Sequence, residues 1–123
     1  MSEWYAYEDG ETLGQSGPEM GRVLRDEEYG DLEPDEEEET VADARLTLER
    51  DTPDASFAIT ANVYGWLRHV ATFADEAGAQ AAFETIKPEL VRLAEMVPFD
   101  DDKNIEQKVA DLNAALDDFA RRF

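Results

Sequence analysis

The sequence predicts an α+β domain: a small antiparallel β-sheet of three to five strands in the N-terminal two-thirds, with two C-terminal helices packed on one of its faces. Three observations predict it. Ala44–Arg50 alternates apolar and polar residues with period two, and Phe57–Phe73, the longest stretch free of acidic residues, continues in β-formers about a Tyr64-Gly65 pivot. The apolar residues of 75–97 and 105–123 recur instead at steps of three and four. The strands come first and the helices after, an order that points away from alternating β-α-β units.

At the N-terminus, Trp4–Tyr7 (WYAY) reads as a short edge strand that buries Trp4 or Tyr5. Residues 9–21, DGETLGQSGPEMG, hold four glycines and a proline and read as a flexible loop. Within it, the surroundings of Ser16 have a weak likeness to those of a nucleophilic serine. A single histidine in the chain leaves that reading without support. Arg22–Arg25 begins either a strand or a helical turn.

The acidic block at about 27–40, EEYGDLEPDEEEET, has too few apolar residues to offset its ordering entropy, and a mobile loop is expected there. It lacks the spacing of a calcium loop. In Ala44–Arg50, Leu46 and Leu48 take one face while Arg45, Thr47 and Glu49 take the other, the mark of a half-buried strand. Asp51-Thr52-Pro53-Asp54 is a turn, and Phe57, Ile59, Ala61 and Val63 form the apolar face of the next strand. The register after Gly65 depends on the turn: a two-residue turn sets Val63 opposite Trp66, a three-residue loop sets it opposite Leu67. The more apolar choice directs Leu67, His69, Ala71 and Phe73 inward.

Asp75–Val97 is predicted as a helix capped by Asp75, with a stripe of Ala79, Ala82, Phe83, Ile86, Leu90, Leu93 and Val97. Pro88 predicts a kink or break near Ile86-Lys87. Asp100, Asp101 and Asp102 sit where carboxylates favour a helix N-terminus, ahead of a second stripe at Ile105, Val109, Leu112, Leu116, Phe119 and Phe123. That stripe either covers the sheet or pairs with a second copy, which makes a homodimer through the C-terminal helix a reading of the pattern.

A length of 123 residues, 42% of them hydrophobic, is enough for one domain with one core. The formal net charge of −20 is the extreme feature. It disfavours nucleic acid and anionic membranes as direct partners, because both need clustered Lys and Arg. With no cysteine, disulfides and thiolate chemistry are excluded. With neither a basic n-region nor an apolar h-region in the first ten residues, a cytoplasmic protein is expected.

Function is less legible. No catalytic, metal or nucleotide motif is present, so neither an enzyme nor a cofactor is expected. The leading expectation is a non-catalytic interaction module that binds a basic protein, as an inhibitor, an immunity-type partner or a mimic of nucleic-acid charge would. Asp35, Glu36, Glu37, Glu38 and Glu39 are its candidate contacts. The alternatives are general acidity of the high-salt type and a small-molecule pocket at Tyr64, Trp66 and His69. His69 has two readings, a hydrogen-bonded core histidine or a ligand-binding one.

Overall fold

A computed structural model describes residues 2–31, 42–98 and 102–123. Strands β1 (Ser2–Ala6), β2 (Arg22–Asp31), β3 (Ala42–Arg50), β4 (Phe57–Val63) and β5 (Leu67–Phe73) are followed by helices α1 (Glu76–Glu95) and α2 (Ile105–Arg122). The strands form one antiparallel sheet in chain order, β1-β2-β3-β4-β5, so each pairs with its sequence neighbour. This is the expected α+β architecture.

Both helices lie on one face, called here the inner face. Ala44, Leu46 and Leu48 of β3 and Ile59, Ala61 and Val63 of β4 meet Ala79, Phe83, Ile86, Leu90 and Leu93 of α1 and Leu112, Leu116 and Phe119 of α2. Each Val, Leu, Ile or Phe side chain among them contributes roughly 1.5–3 kcal/mol when removed from water, and each alanine less. The register follows from the period-two pattern: Leu46 pairs with Ala61 and Leu48 with Ile59, which keeps the apolar residues of both strands on one side. The β4–β5 connection is the three-residue loop Tyr64-Gly65-Trp66, with Val63 opposite Leu67. Leu67, His69, Ala71 and Phe73 therefore share the inner face.

Helix α1 starts where expected, the Asp75 carboxylate accepting a hydrogen bond from the Gly78 N–H at 2.6 Å. Of the kink or break expected at Pro88, the break does not occur: one helix runs from Glu76 to Glu95. Pro88 is exposed, so the Glu84 carbonyl it leaves without a helical donor is on the solvent side, and the buried stripe packs continuously on either side of it. An ion network ties α1 to β2. Lys87 Nζ donates to Glu27 at 2.6 Å, Arg25 donates to Glu84 at 2.7 Å and to Glu27 at 2.9 Å, and the Arg25 guanidinium lies 4.0 Å from the Phe83 ring centre. In α2, Leu112, Leu116 and Phe119 are buried within the same chain, so this part of the stripe covers the domain's own core. Ile105 and Val109 remain half-exposed.

One further expectation is corrected. Glu27–Asp31, read as the start of a loop, is the end of β2, paired with β1 on one side and, as far as Gly30, with β3 on the other. Glu27 is neutralised by Arg25 and Lys87, and Tyr29 packs on Trp4 with ring centres 5.4 Å apart, so these residues are held by partners that their own composition does not reveal. The rest of the acidic block, 32–40, lies outside the described residues. The Gly-rich segment is a loop, as expected, and backbone hydrogen bonds tie it to the sheet. After the 3-10 turn Tyr7–Gly10 it doubles back, with the Gly14 N–H bonded to Val23 O at 2.8 Å and the Val23 N–H to Gln15 O at 2.9 Å.

Candidate functional site

The sheet's other face, the outer face, was expected to be solvated, yet Thr47 and Glu49 are both 0% exposed. The segment after β1 covers them. Glu49 lies beneath it, accepting from the Glu19 N–H at 3.1 Å and the Gly21 N–H at 3.0 Å. Burial pushes its carboxyl above the usual range, and these two backbone bonds act in the opposite direction.

Beside this cover lies the densest polar cluster of the outer face. Asp26, in mid-β2, is buried and takes both ends of the Arg45 guanidinium at 2.9 and 2.7 Å, the Thr12 hydroxyl at 2.9 Å and the Thr47 hydroxyl at 3.0 Å. The Arg45 guanidinium stacks on the Tyr7 ring at 3.7 Å. Two residues along β2, Glu28 accepts from two phenols, Tyr5 at 2.8 Å and Tyr64 at 2.7 Å. Burial first, and then the shared carboxylate, push the Tyr5 phenol up to about 12. The same two causes raise Tyr64 further. Both tyrosines therefore stay neutral and act as donors over the physiological range.

Tyr64 belongs to the β4–β5 loop. Gly65 adopts φ +82°, a left-handed conformation that costs glycine little, and the Trp66 N–H closes the turn on Val63 O at 2.9 Å. The Tyr64 N–H bonds to Asp43 O at 3.1 Å and so locks the loop to the start of β3. Tyr64 and Trp66 are 43% and 36% exposed, an unusual state for large aromatic side chains. The antiparallel order places this loop at the same end of the sheet as the first residue of β1, the last of β2 and the first of β3.

His69 is elsewhere. It lies on the inner face opposite Ala61, and its ring meets the Phe119 ring edge-on, centres 5.8 Å apart at 80°. Its Nε2 is buried without a hydrogen-bond partner among the described residues, so of the two readings the hydrogen-bonded core histidine is not met at that atom. Tyr64 reaches the outer-face carboxylate Glu28, so Tyr64 and His69 are on opposite sides of the sheet. A cavity of about 350 Å³ lies between the end of α1 and α2, lined by Met96, Val97 and Pro98 with Glu95, Asp102, Lys108 and Asp111. Another, of about 310 Å³, is lined by Gln15, Ser16, Met20 and Arg22 with Gly14, Gly21 and Asp51. Neither includes Tyr64, Trp66 or His69. Ser16 faces the second of these cavities, on the covering segment, and has no histidine beside it. Asp35, Glu36, Glu37, Glu38 and Glu39 lie outside the described residues. Among those described, no three His, Cys, Asp or Glu side chains come together to hold a metal ion, and no helix is long and apolar enough to cross a membrane.

The sequence reading missed Tyr5, Tyr7, Asp26, Glu28 and Arg45. The period-two phase of Arg45 with Thr47 and Glu49 placed them on one face, but nothing local indicated that a segment some 25 residues earlier would cover it. Chemically the cluster is a satisfied hydrogen-bond platform: its carboxylates are engaged and its phenols protonated. What it offers outward is the exposed Tyr64–Trp66 loop. Set against protein-family models, curated proteins and solved structures, the chain finds no match.

Proposed function

We propose that this chain is a non-catalytic interaction module whose acidic surface engages a basic protein. The observation that carries the reading is the position of the exposed Tyr64 and Trp66 rings, at the sheet end where β2 stops at Asp31 and β3 starts at Ala42. The acidic residues 35–39 fall in the chain between those two points. Aromatic faces and carboxylates together suit lysine and arginine side chains, through cation–π contact and charge pairing. The charge balance favours the same reading. Among the described residues, eight of the 11 Lys and Arg side chains are engaged in ion pairs, and the 31 acidic residues of the chain outnumber all 11 basic ones. An inhibitor or immunity-type partner of a cationic protein, or a charge mimic, fits this balance.

The test is affinity capture from the native lysate at low salt and at several tenths molar, followed by calorimetric titration of whatever protein is retained. The expected outcome is one basic protein, bound in stoichiometric amount at low salt and released at high salt, where the Debye length shrinks to roughly 4 Å. Its affinity should drop at least tenfold on Trp66→Ala and again when Glu36–Glu39 are changed to Gln. A partner whose affinity responds to neither change would sink the proposal.

A further inference from the structure

The sheet has two edges, and they differ. β1 is five residues long and carries Glu3. β5 is seven residues long, LRHVATF, and holds no acidic residue and no proline. Its pairing with β4 is unbroken over seven consecutive residue pairs, whereas the β2–β3 pairing shifts register twice. Among the described residues its other side carries no backbone hydrogen bond. Natural sheets blunt such edges with charge, proline or bulges, and β5 has none of these apart from Arg68, which is engaged by Glu19 at 2.9 Å.

We infer that β5 is the interface of a homodimer in which two copies pair their β5 strands antiparallel about Val70, extending the sheet from five strands to ten. Two arguments select a second copy as the occupant. The first is charge. In a chain of net charge −20, close approach of two copies is opposed almost everywhere, and β5 lies at the end of the one long stretch, 57–73, that has no carboxylate of its own; the Glu19 carboxylate beside Arg68 is paired with that guanidinium at 2.9 Å. The second is self-complementarity. With the two-fold axis at Val70, Leu67 faces Phe73 and His69 faces Ala71 on the inner side, and Arg68 faces Thr72 on the outer side, so apolar residues meet apolar or neutral ones and no like charges are opposed. Phe119 already seats α2 over His69, so both copies' helices stay on the shared inner face. The inference is independent of any basic partner and differs from a seam through α2, whose Leu112, Leu116 and Phe119 are used within the chain.

The absence of cysteine makes the test direct. In antiparallel pairing, residue 70 of each copy lies about 4.5–5.5 Å from its equivalent, inside the ~4.4–6.8 Å that a disulfide spans. Light scattering on the unaltered chain should give twice 13.9 kDa at high micromolar concentration. Val70→Cys should cross-link to a dimer under mild copper–phenanthroline oxidation at least tenfold faster than Thr85→Cys on the exposed side of α1 or Val109→Cys on α2. Val70→Glu, checked for a native circular dichroism spectrum, should give a monomer. A monomeric unaltered chain would overturn the inference and leave the edge to a strand from another protein. Faster cross-linking at position 109 would overturn it in favour of a helical seam.

Discussion

Asp26 and Arg45 lie on adjacent strands and are joined by two hydrogen bonds, at 2.9 and 2.7 Å, with the Asp26 side chain fully buried and that of Arg45 about one-quarter exposed. This pair anchors the outer face. Removing the carboxylate strands a guanidinium and two hydroxyls, from Thr12 and Thr47. Breaking a fully buried pair costs 3–5 kcal/mol, and the partial exposure of Arg45 lets water recover some of it. Asp26→Ala should therefore lower the unfolding free energy by about 2–4 kcal/mol in urea, with an unchanged m-value. A loss under ~0.5 kcal/mol would mean that the pair is effectively solvated.

Glu28 holds two phenols at once, and the titration of tyrosine should show it. The Tyr5 phenol is pushed up to about 12 and that of Tyr64 further, each by burial and then by Glu28. Acids raised on folding contribute stability that is fully present below their unfolded value of about 10 and is lost as pH climbs through the folded one. Thermal stability should thus fall from about pH 10 upward. Absorbance at alkaline pH should show a late-titrating class that shrinks in Tyr5→Phe and shifts toward 10 in Glu28→Ala. Normal titration of all four tyrosines would refute the shared contact.

Gly21 and Gly65 separate steric need from conformational need. A Cβ on Gly21 would lie 2.5 Å from the Arg50 carbonyl oxygen and 2.8 Å from Thr52 Cγ2, a backbone clash beside the Glu49 contact. Gly21→Ala should cost about 1–3 kcal/mol through overpacking and displacement of the covering segment. At Gly65 nothing lies within 4 Å and only the positive φ opposes a side chain, so Gly65→Ala should cost about 1 kcal/mol. Equal losses in chemical denaturation would show that the outer cover is not tightly seated.

Salt should stabilise the fold. The internal ion pairs sit mostly at the surface, where each contributes about 0–1 kcal/mol, whereas repulsion among the excess carboxylates acts over the whole molecule. Screening weakens both, and at a net charge of −20 the repulsive part is the larger. The melting temperature should rise by several degrees between low salt and several tenths molar. A falling melting temperature would mean that the ion network of Arg25, Glu27, Glu84 and Lys87 outweighs the net charge.

The amino-acid sequence by itself determined β3, β4, β5 and the two helices, in that order, but not β2, whose start was open between strand and helical turn and whose end, Glu27–Asp31, was read as loop. Period two across Ala44–Arg50, the carboxylate cap at Asp75 and the stripe ending at Phe123 each depend on residues within a turn or two of one another, and such short-range patterns act before any tertiary contact forms. The inward choice of Leu67 and Phe73 was legible too, because a one-residue slip would have exposed the more apolar face. Tertiary structure alone decided what lies on the outer face. Glu49 is buried because N–H groups 28 and 30 residues earlier reach it, and Asp26 because Thr12, Arg45 and Thr47 converge on it. Such contacts leave no period in the chain: a buried carboxylate and a solvated one are written with the same letter, and only the partners brought by folding tell them apart. Tertiary structure likewise set Tyr64 and His69 on opposite sides of the sheet, although five positions separate them in the sequence.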